Sequence, residues 1–317
     1  MNIVNFSTQT AGPRAGFLVD DHVMPAAAVL PGAGAPVSIP DLLTALNYAG
    51  KQVTRALRSN KVPRLLLDEV RLHAPVHPGA LILCTGGNYR SHLEEIGESV
   101  PDRAPSFVKN PNAVVGPEDP IVLPPQCPDM VDFEGELCVV FGRACHHVSA
   151  EQAMDYIGGY TILNDVSARN RMAAMLTATT PTEGRWSVIE MLMGKQLPTF
   201  APVGPTILTA EEVPDPAALR LTTRLNGELM QDASVGDLVV GVPQLVEQMS
   251  RYYNFAPGDL LSTGTPAGIG AGQVPPRYLR PRDEVTIEIT GIGALRNRAI
   301  TNPTPERYTA TSPRRKS

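Results

Sequence analysis

No stretch of this sequence approaches the roughly 18 consecutive apolar residues of a membrane-spanning helix. The opening MNIVNFSTQTAGPR also lacks the basic-then-apolar pattern of a signal peptide. Together these absences give the expectation of a cytoplasmic protein with no membrane partner. Cysteine is scarce: the four residues at 84, 127, 138 and 145 contain no CxxC spacing, so neither a zinc site nor a disulfide framework is indicated. In a reducing compartment they are expected to be small buried hydrophobes. Positive charge is in deficit, with 27 Lys and Arg against 32 Asp and Glu and a formal net charge of −5. That excludes a broad nucleic-acid surface and makes a small molecule the expected partner. No self-similarity occurs at the periods of repeat architectures.

What the chain has in quantity is punctuation. The 31 prolines and 27 glycines separate short β-branched runs such as DPIVLP, ELCVVFG, GPTILT, GDLLST and EVTIEITGIG. Many short strands between turn signals predict a mixed α/β, β-dominated fold. Three segments carry helical patterns: SIPDLLTALNYAGKQVTRALRSN, SAEQAMDYIGGY with Ser149 as N-cap, and GVPQLVEQMSRYY. The chain divides into a small N-terminal α+β unit over 1–75, a main body over 76–302, and a tail over 303–317. In the tail, PTPERYTATSPRRKS offers too little apolar surface to bury and is expected to be flexible.

One strand-like segment, DFEGELCVV, places Asp132, Glu134 and Glu136 at two-residue intervals and so on one face. A solvated strand face explains this pattern. So does a hard divalent cation, since clustered carboxylates in a low-dielectric site need a cation or a proton. In YTILNDVSARN, Asp165 ends another strand and is either a turn residue or a third carboxylate for such an ion. Oxygen-only ligation suits Mg²⁺ or Mn²⁺, with Ca²⁺ as a substitute. The adjacent pair His146 and His147 is better placed in a turn than as ligands.

In LILCTGGNYRSHLEE, a strand, a Gly-Gly break and a helical start set His92 and Glu95 three residues apart on one face. A carboxylate so placed orients an imidazole as a general base, although an i,i+3 pair is as common in purely structural settings. The glycine-rich GDLLSTGTPAGIGAG lacks the Lys-Ser/Thr of a P-loop. Its amides, with Thr263 or Thr265, suit the cupping of a substrate carboxylate.

Taken in order, GGNYRSHLEE, PSFVKNPNAVVGPEDPIVLP, VDFEGELCVVFG, YIGGYTILNDVSARN, GKQLPTFAPVGP, LTTRLNGELMQD, APGDLLSTGTPAGIGAG and VTIEITGIGALRN resemble the fumarylacetoacetate hydrolase family across residues 81–297. The N-terminal unit resembles the small domain of longer bacterial members. The resemblance implies a rolled mixed β-sheet core, assembled as a homodimer. It assigns Glu134, Glu136 and Asp165 to an Mg²⁺ ion, with Asp132 a bystander, and His92 and Glu95 to an acid–base dyad on a lid segment. Lys195 is assigned to the reacting carbonyl, and Tyr89, Arg169 and Thr265 to the substrate. The implied reaction is metal-dependent hydrolysis of a C–C bond in a β-diketone or acylpyruvate-type acid. The alternatives are decarboxylation of a β-keto acid and isomerisation or hydration of a hydroxymuconate-type dienol. Two departures stand out: Met172 replaces a glutamine common in relatives, and the segment 176–194 is longer than usual.

Overall fold

Every residue of the strand Gly135–Phe141 is buried, because both faces of its sheet are covered. Leu137, Val139 and Phe141 enter one apolar cluster, while Cys138 and Val140 enter another. This is the near-continuous apolar run that a strand buried on both faces requires. The structure, a computed structural model, describes residues 1–302 except 31, 33, 35, 60 and 172–177. Met172 and the 303–317 tail therefore lie outside the described residues.

Gly135–Phe141 pairs antiparallel with Ile157–Asn164 on one side and with Leu260–Ser262 on the other. Beyond Leu260–Ser262 lie Ile82–Thr85, in parallel, and then Ser106–Lys109. On the other side come Ala201–Thr209 and then Asn2–Thr8, Ala11–Val19 and His22–Pro25, so the N-terminal strands continue the same sheet. A second sheet of five strands, built on Arg220–Leu225, Glu284–Ile289 and Gly293–Thr301, packs its Leu221, Ile287 and Leu295 into the cluster with Leu137 and Val139.

The opposite face is covered by the helix Ile39–Leu57. Ser38 caps it, its hydroxyl accepting from the Asp41 amide at 3.2 Å, and Pro40 fits the first turn, where no amide partner is needed. Its buried residues Ile39, Leu42, Leu43, Ala49, Val53 and Leu57 fall on one stripe. The helix expected from SAEQAMDYIGGY is instead a 3-10 turn, Ala153–Tyr156, leading into the strand Ile157–Asn164. Tertiary pairing on both edges of that strand overrides the weak local helical pattern. The longer segment after residue 177 contains a helix, Pro181–Met193, capped by a Thr180–Glu183 box.

The sheet is rolled. Ser106–Lys109 stands four strands from Ile157–Asn164 in the sheet order, roughly 19 Å in a flat sheet. Yet Lys109 Nζ donates to Asp165, the residue after that strand. Rolling carries the Ser106–Lys109 edge to the end where the start of Gly135–Phe141 meets the ends of Ile157–Asn164 and Leu260–Ser262.

Candidate metal and acid–base centre

The three carboxylates of the trio meet at this end. Glu134, Glu136 and Asp165 each present an oxygen within 4.8 Å of the other two, and all three are buried. The antiparallel register explains the meeting: Gly135 pairs with Asn164, so the residues flanking Gly135 face the chain as it leaves Asn164. Asn164 Oδ1 accepts from the Glu134 amide at 3.0 Å, and the Asp165 amide donates to Glu134 O at 2.9 Å.

The row of acids is not one strand, however. Val131–Asp132 pairs with Ser167–Ala168 in a separate ribbon, and Phe133 and Glu134 bridge to the main sheet. Asp132 is thereby turned away from the trio. Its oxygens accept from Arg169 Nε at 2.8 Å and from the Gly270 and Ala271 amides at 2.8 and 3.0 Å. Arg169 spans the gap, its other arm donating to Glu134 Oε1 at 2.5 Å.

Lys195 is buried beside the trio. Its ammonium donates to Glu134 Oε2 at 3.0 Å, Asp165 Oδ2 at 2.6 Å and Ser167 Oγ at 2.8 Å, which engages all three of its protons. Lys109, fully buried, donates to Asp165 Oδ1 and to Val166 O. Glu136 is held by the Ser262 hydroxyl and, at 3.3 Å, by the Gly264 amide. Among the described residues four buried carboxylates thus face three cations, and Glu136 is the one with no cationic partner within bonding distance there.

The electrostatics follow from this imbalance. Burial alone raises the Glu134 carboxyl, but Lys195, Arg169 and His92 overcome it and hold the group well below the usual carboxylate range. Glu136 is pushed well above that range by burial, then by the charges of Asp165 and Glu134. A divalent ion relieves this repulsion. Each carboxylate oxygen carries two lone pairs, so those already accepting from Lys or Arg retain one for a ligand bond. The donor set, all hard oxygen, fits such an ion.

A pH dependence results. Glu136 keeps a proton in the folded state that the unfolded chain releases above its ordinary value of 4.5, so stability falls as pH rises from there towards the raised value. Glu134 acts oppositely, its contribution being lost only as pH falls towards its lowered value. A bound cation replaces the Glu136 proton and removes the first penalty. Added Mg²⁺ or Mn²⁺ is therefore expected to raise the melting temperature more at pH 8 than at pH 5, in melts run against EDTA controls. Equal increments at both pH values would contradict ion binding at Glu136.

His92 and Glu95 lie on the helix Arg90–Ile96, which begins after Tyr89 and ends at Gly97 in the left-handed conformation. His92 Nδ1 and Glu95 Oε2 are 3.2 Å apart, and the Gly268 amide donates to Glu95 Oε1 at 2.8 Å. Tyr89 is buried, its phenol pushed up by desolvation and then by the charge of Glu136. Thr265 donates to Gly135 O at 3.0 Å and accepts from Gln231 Nε2 at 2.8 Å. Gln231 Oε1 in turn accepts from the Gly135 amide at 3.0 Å. The backbone between Glu134 and Glu136 is pinned from both sides by this pair.

Sequence reasoning missed Lys109, Ser262, Ser167 and Gln231. Lys109 is the buried end of a strand whose other residues are exposed or half-buried. A cavity of about 680 Å³ opens between the end of the Pro181–Met193 helix and residues 124–127, lined by Cys127, Arg171, Met193 and Gly194. Neither the trio nor the dyad lines it.

The Fumarylacetoacetate (FAA) hydrolase C-terminal family matches residues 81–300, and the chain belongs to this family. The oxaloacetate tautomerase YisK of Bacillus subtilis (strain 168) is 37% identical over 234 residues, 73% of each chain. A fumarylacetoacetate hydrolase from Exiguobacterium antarcticum superposes with a TM-score of 0.78 at 29% identity, over 95% of this chain and all of that one. A maleylpyruvate hydrolase from Sphingobium sp. SYK-6, in complex with manganese(II) and pyruvate, gives 0.74 at 28% identity over 96% and 100%. The mixed, strand-dominated fold is thus that of the family. The acidic trio and the manganese-bound neighbour support a divalent metal here, and family membership supports an enzyme acting on a small molecule. Among the described residues, no helix is long and apolar enough to cross a membrane.

Proposed function

We propose that this protein is a divalent-metal-dependent enzyme that interconverts the enol and keto forms of a small 2-oxo diacid of the oxaloacetate type. The observation that carries the reading is a His–carboxylate pair beside a buried carboxylate trio. His92 lies near enough to Glu134 that a proton gained by its imidazole lowers that carboxyl. The proposed ion is Mg²⁺, with Mn²⁺ or Ca²⁺ as substitutes; when bound it supplies Lewis-acid stabilisation of negative charge on the substrate oxygens.

The remaining chemistry belongs to the chain. With Nδ1–H donated to Glu95, the unprotonated Nε2 of His92 is the basic atom. It accepts the proton of the enol hydroxyl and returns a proton to the adjacent carbon, leaving no net change in protons. Arg169, Tyr89 and Thr265 are proposed to orient the substrate. A homodimer, and a division of the chain near residue 75, belong to the same proposal.

The second reading is hydrolytic cleavage of a C–C bond in an acylpyruvate or fumarylacetoacetate-like acid, favoured by the likeness to maleylpyruvate hydrolase. There His92 activates a water and Lys195 stabilises the tetrahedral oxyanion. That role requires Lys195 to release one of its three acceptors, whereas proton transfer requires no such release. This difference supports tautomerisation as the first reading.

The test is freshly dissolved enol-oxaloacetate, followed by ultraviolet absorbance and proton NMR, with acylpyruvates and fumarylacetoacetate in parallel. Enol decay well above the buffer rate, abolished by EDTA and without formation of pyruvate, is the expected result. Release of two acids from a diketone establishes the hydrolase instead, and CO₂ with pyruvate from oxaloacetate establishes a decarboxylase.

A further inference from the structure

The glycine-rich segment 264–272 follows a strand, as a ligand-binding loop would, yet its amides face the protein's own carboxylates. Gly264 donates to Glu136, Gly268 to Glu95, and Gly270 and Ala271 to Asp132. These three acids belong to the trio, to the dyad and to the Asp132–Arg169–Glu134 chain, respectively. One short loop therefore touches every part of the centre.

Two positions make the contact close. A Cβ on Gly272 would stand 2.2 Å from Glu95 Oε1 and 2.4 Å from its Cδ, and a Cβ on Gly270 would stand 2.5 Å from Asp132 Oδ1. Real side chains do not approach so closely, so the missing methyl at 272 is what lets the Glu95 carboxylate lie flat against the loop. The Gly268 amide then holds Oε1, which leaves Oε2 turned towards His92 Nδ1.

We propose that the loop is a positioning device: Gly268 and Gly272 fix the Glu95 carboxylate so that His92 is held as its Nδ1–H tautomer, while the neighbouring amides at 270 and 271 set Arg169 against the trio. Gly272 is a positioning residue, acting through Glu95 and touching no reacting atom. The inference rests on the dyad reading above. A base displaced by about 1 Å loses on the order of 10²-fold in rate, which sets the scale of the effect.

The experiment is a double-mutant cycle on the full-length, metal-loaded protein, using Gly272→Ala and Glu95→Ala. Gly272→Ala alone is expected to lower kcat by about 10- to 100-fold. KM and the Mn²⁺ dissociation constant should stay within about twofold, since neither depends on the imidazole tautomer. In the Glu95→Ala background the same change is expected to cost far less, because the three atoms nearest the added methyl, Oε1, Cδ and Cγ of Glu95, are then gone. Nitrogen-15 NMR of His92 supplies a readout that loosened packing elsewhere would not move: the Nδ1–H pattern in the wild type, a tautomer mixture in Gly272→Ala.

If Gly272→Ala does not fold alone, recovery of folding in the Glu95→Ala background supports the contact, and failure to fold there overturns it. Equal rate losses in both backgrounds also overturn it, as does an unchanged His92 spectrum. Full activity of His92→Ala would instead remove the dyad reading itself. An inactive His92→Ala beside a fully active Gly272→Ala removes only the positioning role.

Discussion

Asp165→Ala is expected to weaken divalent-ion binding strongly and to destabilise the fold by about 3–5 kcal/mol, the cost of removing one partner from a buried ion pair. Among the described residues, Asp165 is the one at this centre to which two lysines donate. Lys109 gives its ammonium to Oδ1 and Lys195 to Oδ2, and both lysines are buried. Among the described residues, removing the carboxylate leaves Lys109 with the Val166 carbonyl at 3.3 Å, while Lys195 keeps Glu134 and Ser167. The uncompensated charge is therefore chiefly that of Lys109, and Asp165→Ala combined with Lys109→Met should recover much of the loss. Urea titrations in EDTA keep ion linkage out of the comparison. Unchanged stability in Asp165→Ala would mean that Lys109 finds another anion, contrary to the rolled geometry. Ion affinity, read by Mn²⁺ titration, should fall by more than about 100-fold, since even lost outer-shell partners cost about 10- to 100-fold.

The centre was legible in the sequence where its signal is local. Two-residue spacing placed Glu134 and Glu136 together, and three-residue helical spacing brought His92 to within 3.2 Å of Glu95. The same spacing misled at Asp132. Period-two logic assumes one uninterrupted strand, whereas the chain leaves a two-stranded ribbon at Asp132 and enters the main sheet at Gly135. Arg169, not a shared cation, connects Asp132 to Glu134.

Lys109 was missed because nothing near it in sequence explains a buried cation. Its partner lies 56 residues on, and the two meet only when the sheet rolls. The partners of the glycine loop stayed hidden for a related reason. Glycine-rich turns after strands are read as anion cradles because their amides are free, and the sequence does not reveal that Glu136, Glu95 and Asp132 reach those amides first. Local periodicity thus found the residues that carry charge. What it could not find was the arrangement of their counter-charges, which is set by contacts between distant segments.

His92→Ala supplies the complementary result: turnover is expected to fall by about 10²- to 10⁴-fold, the usual contribution of a positioned general base, with the ion site intact. His92 makes no bond to the trio; its one hydrogen-bond partner among the described side chains is Glu95, which keeps the Gly268 amide when the imidazole is gone. Folding stability should therefore change by less than about 1 kcal/mol, the scale of a single partly buried hydrogen bond. The Mn²⁺ dissociation constant should likewise stay close to that of the wild type. Measuring kcat, urea stability and Mn²⁺ binding on one preparation separates the three effects. Added imidazole, entering the space left by the side chain, should restore part of the rate, most strongly at pH values where imidazole is neutral. Activity retained without imidazole would remove His92 from the chemistry and leave Tyr89, buried against the charge of Glu136, as the proton carrier to examine next.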